Sequence, residues 1–419
     1  MFIISLLIFT VSTVLISQGL FNSYLMLYAW AKVQENVRFR SPRIYAKPQH
    51  TFTAIIPARH EEDVIGHTIR SVARISYPLE MTEIIVVLRQ DDHGTIAKAQ
   101  EALATIGQKN IRILTFDGYP INKPHGLNHA LRIAQGDVVV IFDAEDEPHP
   151  KIYDIVNTVI VKQNADVVQC GVQLMNYHSN WYSLFNVLEY YFWFKSCLQF
   201  FARKGVIPLG GNTVFFKRDV LLKYGGWDQD CLTEDADIGL KLSQNGANIQ
   251  VVYDQLHATQ EETPPDLQGF IKQRTRWNQG FIQIIAKGEW RNFERPLHRF
   301  LALYILGWPL CQAILFLLIP ASIAVALFVE LPILIALYST IPLYLFLIQL
   351  CISMLGLHEF GKDYQVKIHP IYYLKHIIFF FPYQWTLGFA SLRAIYRYFS
   401  NQMSWEKTAH INAHRASIT

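Results

Sequence analysis

No CxxC pair, no Gly-x-Gly-x-x-Gly run and no Gly-x-x-x-x-Gly-Lys-Ser/Thr run occurs anywhere in these 419 residues. The first absence argues against a zinc ribbon. The other two disfavour a dinucleotide-binding dehydrogenase and a P-loop ATPase. The five cysteines, Cys170, Cys197, Cys231, Cys311 and Cys351, are scattered. They predict buried thiols in a reducing compartment rather than a disulfide framework. Charge is scarce as well: 17% of residues are Asp, Glu, Lys or Arg, and the net charge is +3. That balance gives no reason to expect nucleic-acid binding. Neither an internal repeat nor a low-complexity tract is present.

What replaces charge is apolar surface, 51% of residues with 27 Phe, 21 Tyr and 9 Trp, and it gathers at the two ends. From Phe2 to Ala31 there is no charged side chain, a run longer than the roughly 20 residues that span a bilayer. A basic start and a small-residue cleavage site are missing, so the run reads as a membrane anchor rather than a signal peptide. Lys32, Arg38, Arg40, Arg43 and Lys47 come closely after it. The positive-inside rule then puts the amino terminus outside and the chain after Lys32 in the cytoplasm. Beyond Arg299, residues 301–329 and 331–357 are each long enough to span, joined by a turn at Glu330. Residues 371–396 carry Lys375, His376, Pro382 and Arg393, and either span or form a broken interfacial helix. The expected division is an anchor over 1–31, a soluble domain over 48–299, a membrane region of two to three spans over 300–397, and a tail over 398–419. An aromatic helix over 181–201, with Glu189 and Lys195 its only charges, is expected at the membrane interface; burial in the domain is the alternative.

Within the middle, apolar runs at 51–59, 83–88, 111–116, 138–142, 165–174 and 249–257 read as strands, with helical patterns between them. One helix starts at His60, Glu61, Glu62 and Asp63; another runs from Lys123 to Ala134 with Gly136 as its C-cap. This alternation predicts an α/β fold with a mostly parallel, doubly wound sheet. Its centre is VVVIFDAEDEP, where a fully apolar strand ends in Asp143, Glu145, Asp146 and Glu147. Ligands of open α/β sheets bind beyond such strand ends. Carboxylates so close together call for a positive partner, and Mg²⁺ or Mn²⁺ bridged to substrate phosphates is the natural one; a solvated acidic turn is the alternative. Glu234, Asp235 and Asp237 gather in a first helical turn behind Thr233 as N-cap, where ordinary capping is the alternative. Gln273, Arg274, Arg276 and Trp277 share a helix over 267–286, which by itself fits a solvated face. Gly210 and Gly211 would let a ligand approach the backbone.

The acidic strand end, Thr233-Glu234-Asp235 and Gln273-x-x-Arg276-Trp277 stand in this order, with apolar segments after them. Together they resemble the membrane-integrated family-2 glycosyltransferases, which include cellulose, hyaluronan and chitin synthases and ceramide glucosyltransferases. The resemblance covers roughly 51–299. It implies a GT-A fold that binds a nucleoside diphosphate sugar, UDP-linked by preference, in the cytoplasm. Pro57, Arg59 and Glu61 match the loop that contacts the nucleobase. Asp91 and Asp92 match the family's first aspartate; its usual pattern is Asp-Asp-Gly-Ser, which leaves open which of the two takes the role. Lys123 matches a basic residue near the diphosphate. Asp143 and Glu145 fall on the metal-binding Asp-x-Asp, with Glu a departure for which Asp146 would compensate. Asp235, with Glu234 beside it, matches the catalytic base. Gln273, Arg274, Arg276 and Trp277 match diphosphate and acceptor contacts. Trp405, Lys407, Thr408 and His410 resemble an ending found in bacterial relatives, implying a cytoplasmic tail near the active site and a last apolar segment that does not span.

The implied activity is inverting transfer of a sugar to a growing polysaccharide, with a divalent cation, at a bacterial inner membrane. A second reading is addition of one sugar to a membrane lipid such as ceramide or diacylglycerol; three or four spans are few for a secretion channel. An inactive scaffold is disfavoured because the carboxylates are present. The sequence names no partner subunit, donor sugar or linkage.

Overall fold

The computed structural model describes residues 2–328 and 332–415; the turn expected at Glu330 lies outside them. Among the described residues nine strands are present: β1 (Phe52–Ala58), β2 (Thr82–Arg89), β3 (Ile111–Phe116), β4 (Val138–Ile141), β5 (Val167–Cys170), β6 (Val172–Leu174), β7 (Val214–Lys217), β8 (Ile249–Val252) and β9 (Thr259–Glu261). Seven form one sheet in the order β3-β2-β1-β4-β7-β5-β8. β1 pairs in parallel with β2 and β4, Ile55 facing Ile85 and Ile141, while β7 runs antiparallel to β4 and β5. The parallel register brings the carboxyl ends of β1, β2 and β4 to one edge.

The central strands are buried on both faces, which is why they read as unbroken apolar runs. Phe52, Ile56 and Phe142 face one core, where Phe52 stacks on Tyr153 with centroids 4.5 Å apart. Ile55, Val139 and Phe216 face the other, toward the helices Lys123–Ile133 and Glu234–Gln244. Each such side chain contributes about 1.5–3 kcal/mol by leaving water.

Several local expectations change. The run 165–174 is two strands in different sheets: after Gly171 the chain leaves β5 and β6 pairs with β9. The helix after β1 begins at Ile65 rather than His60. The strand expected over 249–257 stops at Val252. Gly136 does not cap its helix; a Cβ there would lie 2.6 Å from Thr53 N, so it is glycine because β1 passes against it. Thr233 stands at its N-cap position without a side-chain capping bond. Of the cysteines, Cys351 is exposed and Cys311 partly so.

Among the described residues, two helices are long and apolar enough to cross a membrane, Ile3–Ala31 and Ile333–Asp363. A third span is possible by length and composition if Pro296–Leu306 and Trp308–Leu318, bent by 51°, act as one. Ile371–Phe399 does not meet the same measure among the described residues. The amino-terminal helix packs on Ile333–Asp363, with Thr13 Oγ1 3.1 Å from Tyr338 OH and Gln349 Nε2 donating to Gly19 O at 3.2 Å. The aromatic stretch is buried between these helices and the α/β domain: Phe185, Tyr191, Phe192 and Phe201 are all buried. It is a helix (Ser183–Phe192), a π-helical turn (Trp193–Cys197) and a further helix (Leu198–Lys204). The turn sets Ser196 against the amino-terminal helix, donating to Leu25 O at 2.7 Å and accepting from Ala29 N at 2.9 Å.

Candidate active site

A cavity of about 710 Å³ opens beyond the carboxyl ends of β1, β2 and β4 and reaches between the apolar helices. Of the site residues that the family resemblance implies, all line it except Asp91, Asp92 and Asp146.

Its floor is built from helix starts and strand ends. Lys123 is the first residue of its helix, fixed by Asn122, whose side chain accepts from His125 N at 3.0 Å. From there Lys123 Nζ lies 2.5 Å from Asp143 Oδ1 and donates to Gly211 O at 2.8 Å. Asp235 sits in the first turn of Glu234–Gln244. That helix is drawn close by Gly239, where a Cβ would lie 2.6 Å from Leu209 N. A Cβ on Gly211 would lie 3.2 Å from Asp235 Oδ2 and 3.4 Å from Lys123 Nζ, so this glycine leaves an open gap between the two. Burial opposes the charge on Lys123, but Asp143, Glu234 and Asp235 outweigh it and raise its pKa. Burial likewise raises Asp235, and lifts Glu234 to about 8 with the help of Asp235.

The acidic loop after β4 divides its carboxylates. Asp146 is turned inward, accepting from Asp143 N at 2.8 Å and Asn212 Nδ2 at 2.7 Å. Glu145 is pushed up to about 7 by burial and faces His410, whose Nε2 lies 3.0 Å away. Glu261, which no local pattern marked, joins this corner from β9; burial and then Glu145, Asp146 and Asp143 raise it well above the usual carboxylate range. The donor chemistry of this set, carboxylate oxygens alone, is the kind that a divalent cation takes. The donor atoms of Asp143, Glu145 and Asp146 are held apart by Lys123, His410 and Asn212. Among the described residues, the group whose ligand atoms all lie within 4.8 Å is His60, Glu62 and Asp92.

Asp91 and Asp92 part ways. Asp92 is buried and caps the helix His93–Ile106, accepting from Thr95 N at 3.3 Å and from His60 N at 2.6 Å. Asp91 is exposed and lies 3.3 Å from Arg89 Nε.

Gln273 to Trp277 lie within Leu267–Lys287, whose N-cap Asp266 accepts from Gly269 N at 2.7 Å. Arg274 pairs with Glu189 at 2.5 Å, and Tyr383 OH donates to the same carboxylate at 2.7 Å. Its guanidinium lies 4.7 Å from the Trp277 ring centroid. Arg276 lies 4.2 Å over the Trp405 ring, and burial lowers its pKa. Gln273 is buried with no partner for its Oε1.

The tail lies against this site. Glu406 is clasped by Arg393 at 2.6 Å, and Lys407 Nζ reaches Glu61 Oε1 at 3.2 Å. Glu262 accepts from the backbone N–H groups of Ile411 at 2.6 Å and Asn412 at 3.1 Å. Arg415 donates to Glu145 O at 3.2 Å and Asp146 O at 3.1 Å. Glu189, Glu261 and Asn212 escaped sequence reasoning, each being the far partner of a long-range contact without a local signature.

A family profile described as glycosyltransferase like family 2 matches residues 48–280. The β-monoglucosyldiacylglycerol synthase of Trichormus variabilis is 26% identical over 256 residues, 59% of this chain and 53% of that protein. The poly-β-1,6-N-acetyl-D-glucosamine synthase of Staphylococcus aureus is 25% identical over 256 residues, 59% of this chain and 58% of that protein. The chain thus spans little more than half the length of these relatives. Among solved structures, the mannosyltransferase PcManGT of Pyrobaculum calidifontis, in complex with GDP-Man and Mn²⁺, aligns with a TM-score of 0.63 at 18% identity. That alignment covers 94% of this chain and 99% of that one, and it shows the GT-A fold. With the profile spanning more than half of its residues, the chain belongs to the family-2 glycosyltransferases.

Proposed function

We propose that this glycosyltransferase moves a sugar from a nucleoside diphosphate sugar, UDP-linked by preference, to an acceptor hydroxyl delivered from the membrane side, with inversion. The observation that carries the reading is the set Asp143, Lys123, Gly211 and Asp235: a cation between two carboxylates beside a gap only glycine leaves open. Pro57, Arg59 and Glu61 receive the nucleoside. Asp91, exposed and paired with Arg89, is the aspartate left to the nucleoside, because Asp92 is used up in capping.

Asp235 serves as the base. The acceptor oxygen attacks the anomeric carbon as the bond to the diphosphate oxygen breaks, and the acceptor proton passes to Asp235. A pKa raised by burial suits a carboxylate to that transfer. Lys123 and Arg276 face the charge that gathers on the leaving diphosphate. Asp143 and Glu145, with Glu261 behind them, would hold a Mn²⁺ or Mg²⁺ ion, which neutralises diphosphate charge when bound. Gln273 offers its unpaired Oε1 to the acceptor.

The relatives' names include both a lipid and a polysaccharide product. The cavity runs in among the apolar helices, which favours a lipid acceptor. The basic residues after Ala31 support a cytoplasmic domain on an inner membrane. Nucleotide release by the full chain in lipid, tried with UDP-glucose, UDP-N-acetylglucosamine and GDP-mannose, tests the reading.

A further inference from the structure

The helix Lys123–Ile133 carries two histidines one turn apart, His125 and His129, and neither takes part in sugar transfer as described above. They stand at positions i and i+4, the spacing at which one helix face offers two imidazoles to a single metal ion. Their Nε2 atoms lie 3.2 Å apart. At ordinary zinc–nitrogen lengths, two ligand atoms of a tetrahedral ion stand about 3.3–3.4 Å apart. The pair already has nearly the separation that an ion between the rings requires.

The rings are also held in the right sense. His125 Nδ1 lies 2.8 Å from Pro120 O. A carbonyl oxygen only accepts, so Nδ1 carries the hydrogen, and in the neutral ring Nε2 keeps its lone pair toward His129. A backbone carbonyl on the far nitrogen is the support that metal-binding histidines commonly have. Phe116 fixes both ring planes: it stacks on His129 with centroids 5.2 Å apart and meets His125 edge-on at 5.3 Å. Gly126 makes room for it, since a Cβ there would lie 3.1 Å from the Phe116 ring. Burial lowers the His129 pKa, and His125 and Arg132 lower it further, so protons compete weakly for the ring at neutral pH. In the neutral pair the hydrogen between the rings sits on His129 Nε2. On binding an ion, His129 takes its other tautomer and no proton is released. His129 is partly exposed, which gives an ion access from water.

The geometry points to a metal site apart from the acidic loop: His125 Nε2 and His129 Nε2 bind one zinc-like divalent ion, with water completing its coordination. Imidazole suits zinc, nickel and copper, whereas carboxylates suit Mg²⁺ or Mn²⁺, so ligand type sorts the metals between the two places. Neither histidine lines the cavity. The ion clips together the first turns of the helix that places Lys123, and so acts on structure rather than on reacting atoms. This site does not depend on the glycosyl-transfer reading.

The test is calorimetric titration of the untagged full chain in nanodiscs with Zn²⁺, in excess Mg²⁺ so that carboxylate sites stay filled. One Zn²⁺ per chain is expected, and thermal unfolding should shift up by several degrees at saturation. His129→Gln removes one ligand, so the affinity should fall at least as much as on loss of an outer partner, about tenfold or more. His125→Gln should do the same. In Mg²⁺ alone both variants should bind UDP within twofold of wild type, which shows an intact fold; if His125→Gln does not, His129→Gln decides. His60→Gln, in the group with Glu62 and Asp92, should leave Zn²⁺ binding as it is. With Cu²⁺ as the probe, electron paramagnetic resonance should show coupling to two imidazole nitrogens, and to one in His129→Gln. Absence of Zn²⁺ binding overturns the inference and leaves a plain hydrogen-bonded pair. So does binding of equal strength in His129→Gln, or binding lost in His60→Gln instead.

Discussion

His410 Nε2 lies 3.0 Å from Glu145 Oε1, while His410 Nδ1 lies 3.2 Å from Glu61 Oε1. One imidazole thus ties the tail to both the acidic loop after β4 and the segment after β1. Burial opposes its charge, but Glu145 and Glu61 outweigh that and lift it to about 9. Its two contacts, with Glu61 and Glu145, hold the tail down.

Removing it should free the tail. Breaking one side of a buried, hydrogen-bonded charge pair costs about 2 kcal/mol or more, which raises the open population about thirtyfold. His410→Ala is therefore expected to speed limited tryptic cleavage at Lys407 and Arg415 by more than tenfold, and to lower kcat/KM for the donor. Cleavage as slow as in the wild type would mean that Glu262 and Arg393 hold the tail without it.

Gly211→Ala tests the gap in the cavity floor. The new Cβ would stand 3.2 Å from Asp235 Oδ2 and 3.4 Å from Lys123 Nζ, tight enough that one of them must give. Turnover should fall at least tenfold, since a misplacement well under 1 Å at a reacting group is costly, while melting moves little. Wild-type turnover would show that the gap is not part of the reaction.

Gly239→Ala separates structure from chemistry. Its Cβ would meet backbone, Leu209 N at 2.6 Å and Ile207 O at 2.7 Å, and backbone cannot rotate away. Overpacking of this kind costs about 1–3 kcal/mol. Thermal inactivation should shift down by several degrees, and turnover should fall with it as Asp235 moves. An unshifted inactivation curve would contradict the close packing of this helix.

The sheet was legible because β1, β2 and β4 are buried on both faces and carry unbroken apolar runs that end in polar or acidic residues. The helix bearing Gln273 to Trp277 was placed to within a residue by its pattern and flanks. Boundaries failed where tertiary contact set them. Gly171 moves the chain between sheets, and Gly136 answers to β1 rather than to its own helix. Glu261 could not be found because its significance lies in β6 and β9 coming together beside Glu145, which no local period encodes. Asp91 and Asp92 could not be told apart from residue type; only the capping bonds of Asp92 separate them.

The most direct measurement is nucleotide release by the purified full chain in lipid, donor by donor, with and without Mn²⁺, beside Asp235→Asn. The account predicts cation-dependent release with a UDP-sugar. In the variant, release should fall about a thousandfold, within the range for loss of a general base, while UDP binds within twofold of wild type. Release by Asp235→Asn at the wild-type rate would contradict the assignment of the base, and with it the proposed mechanism.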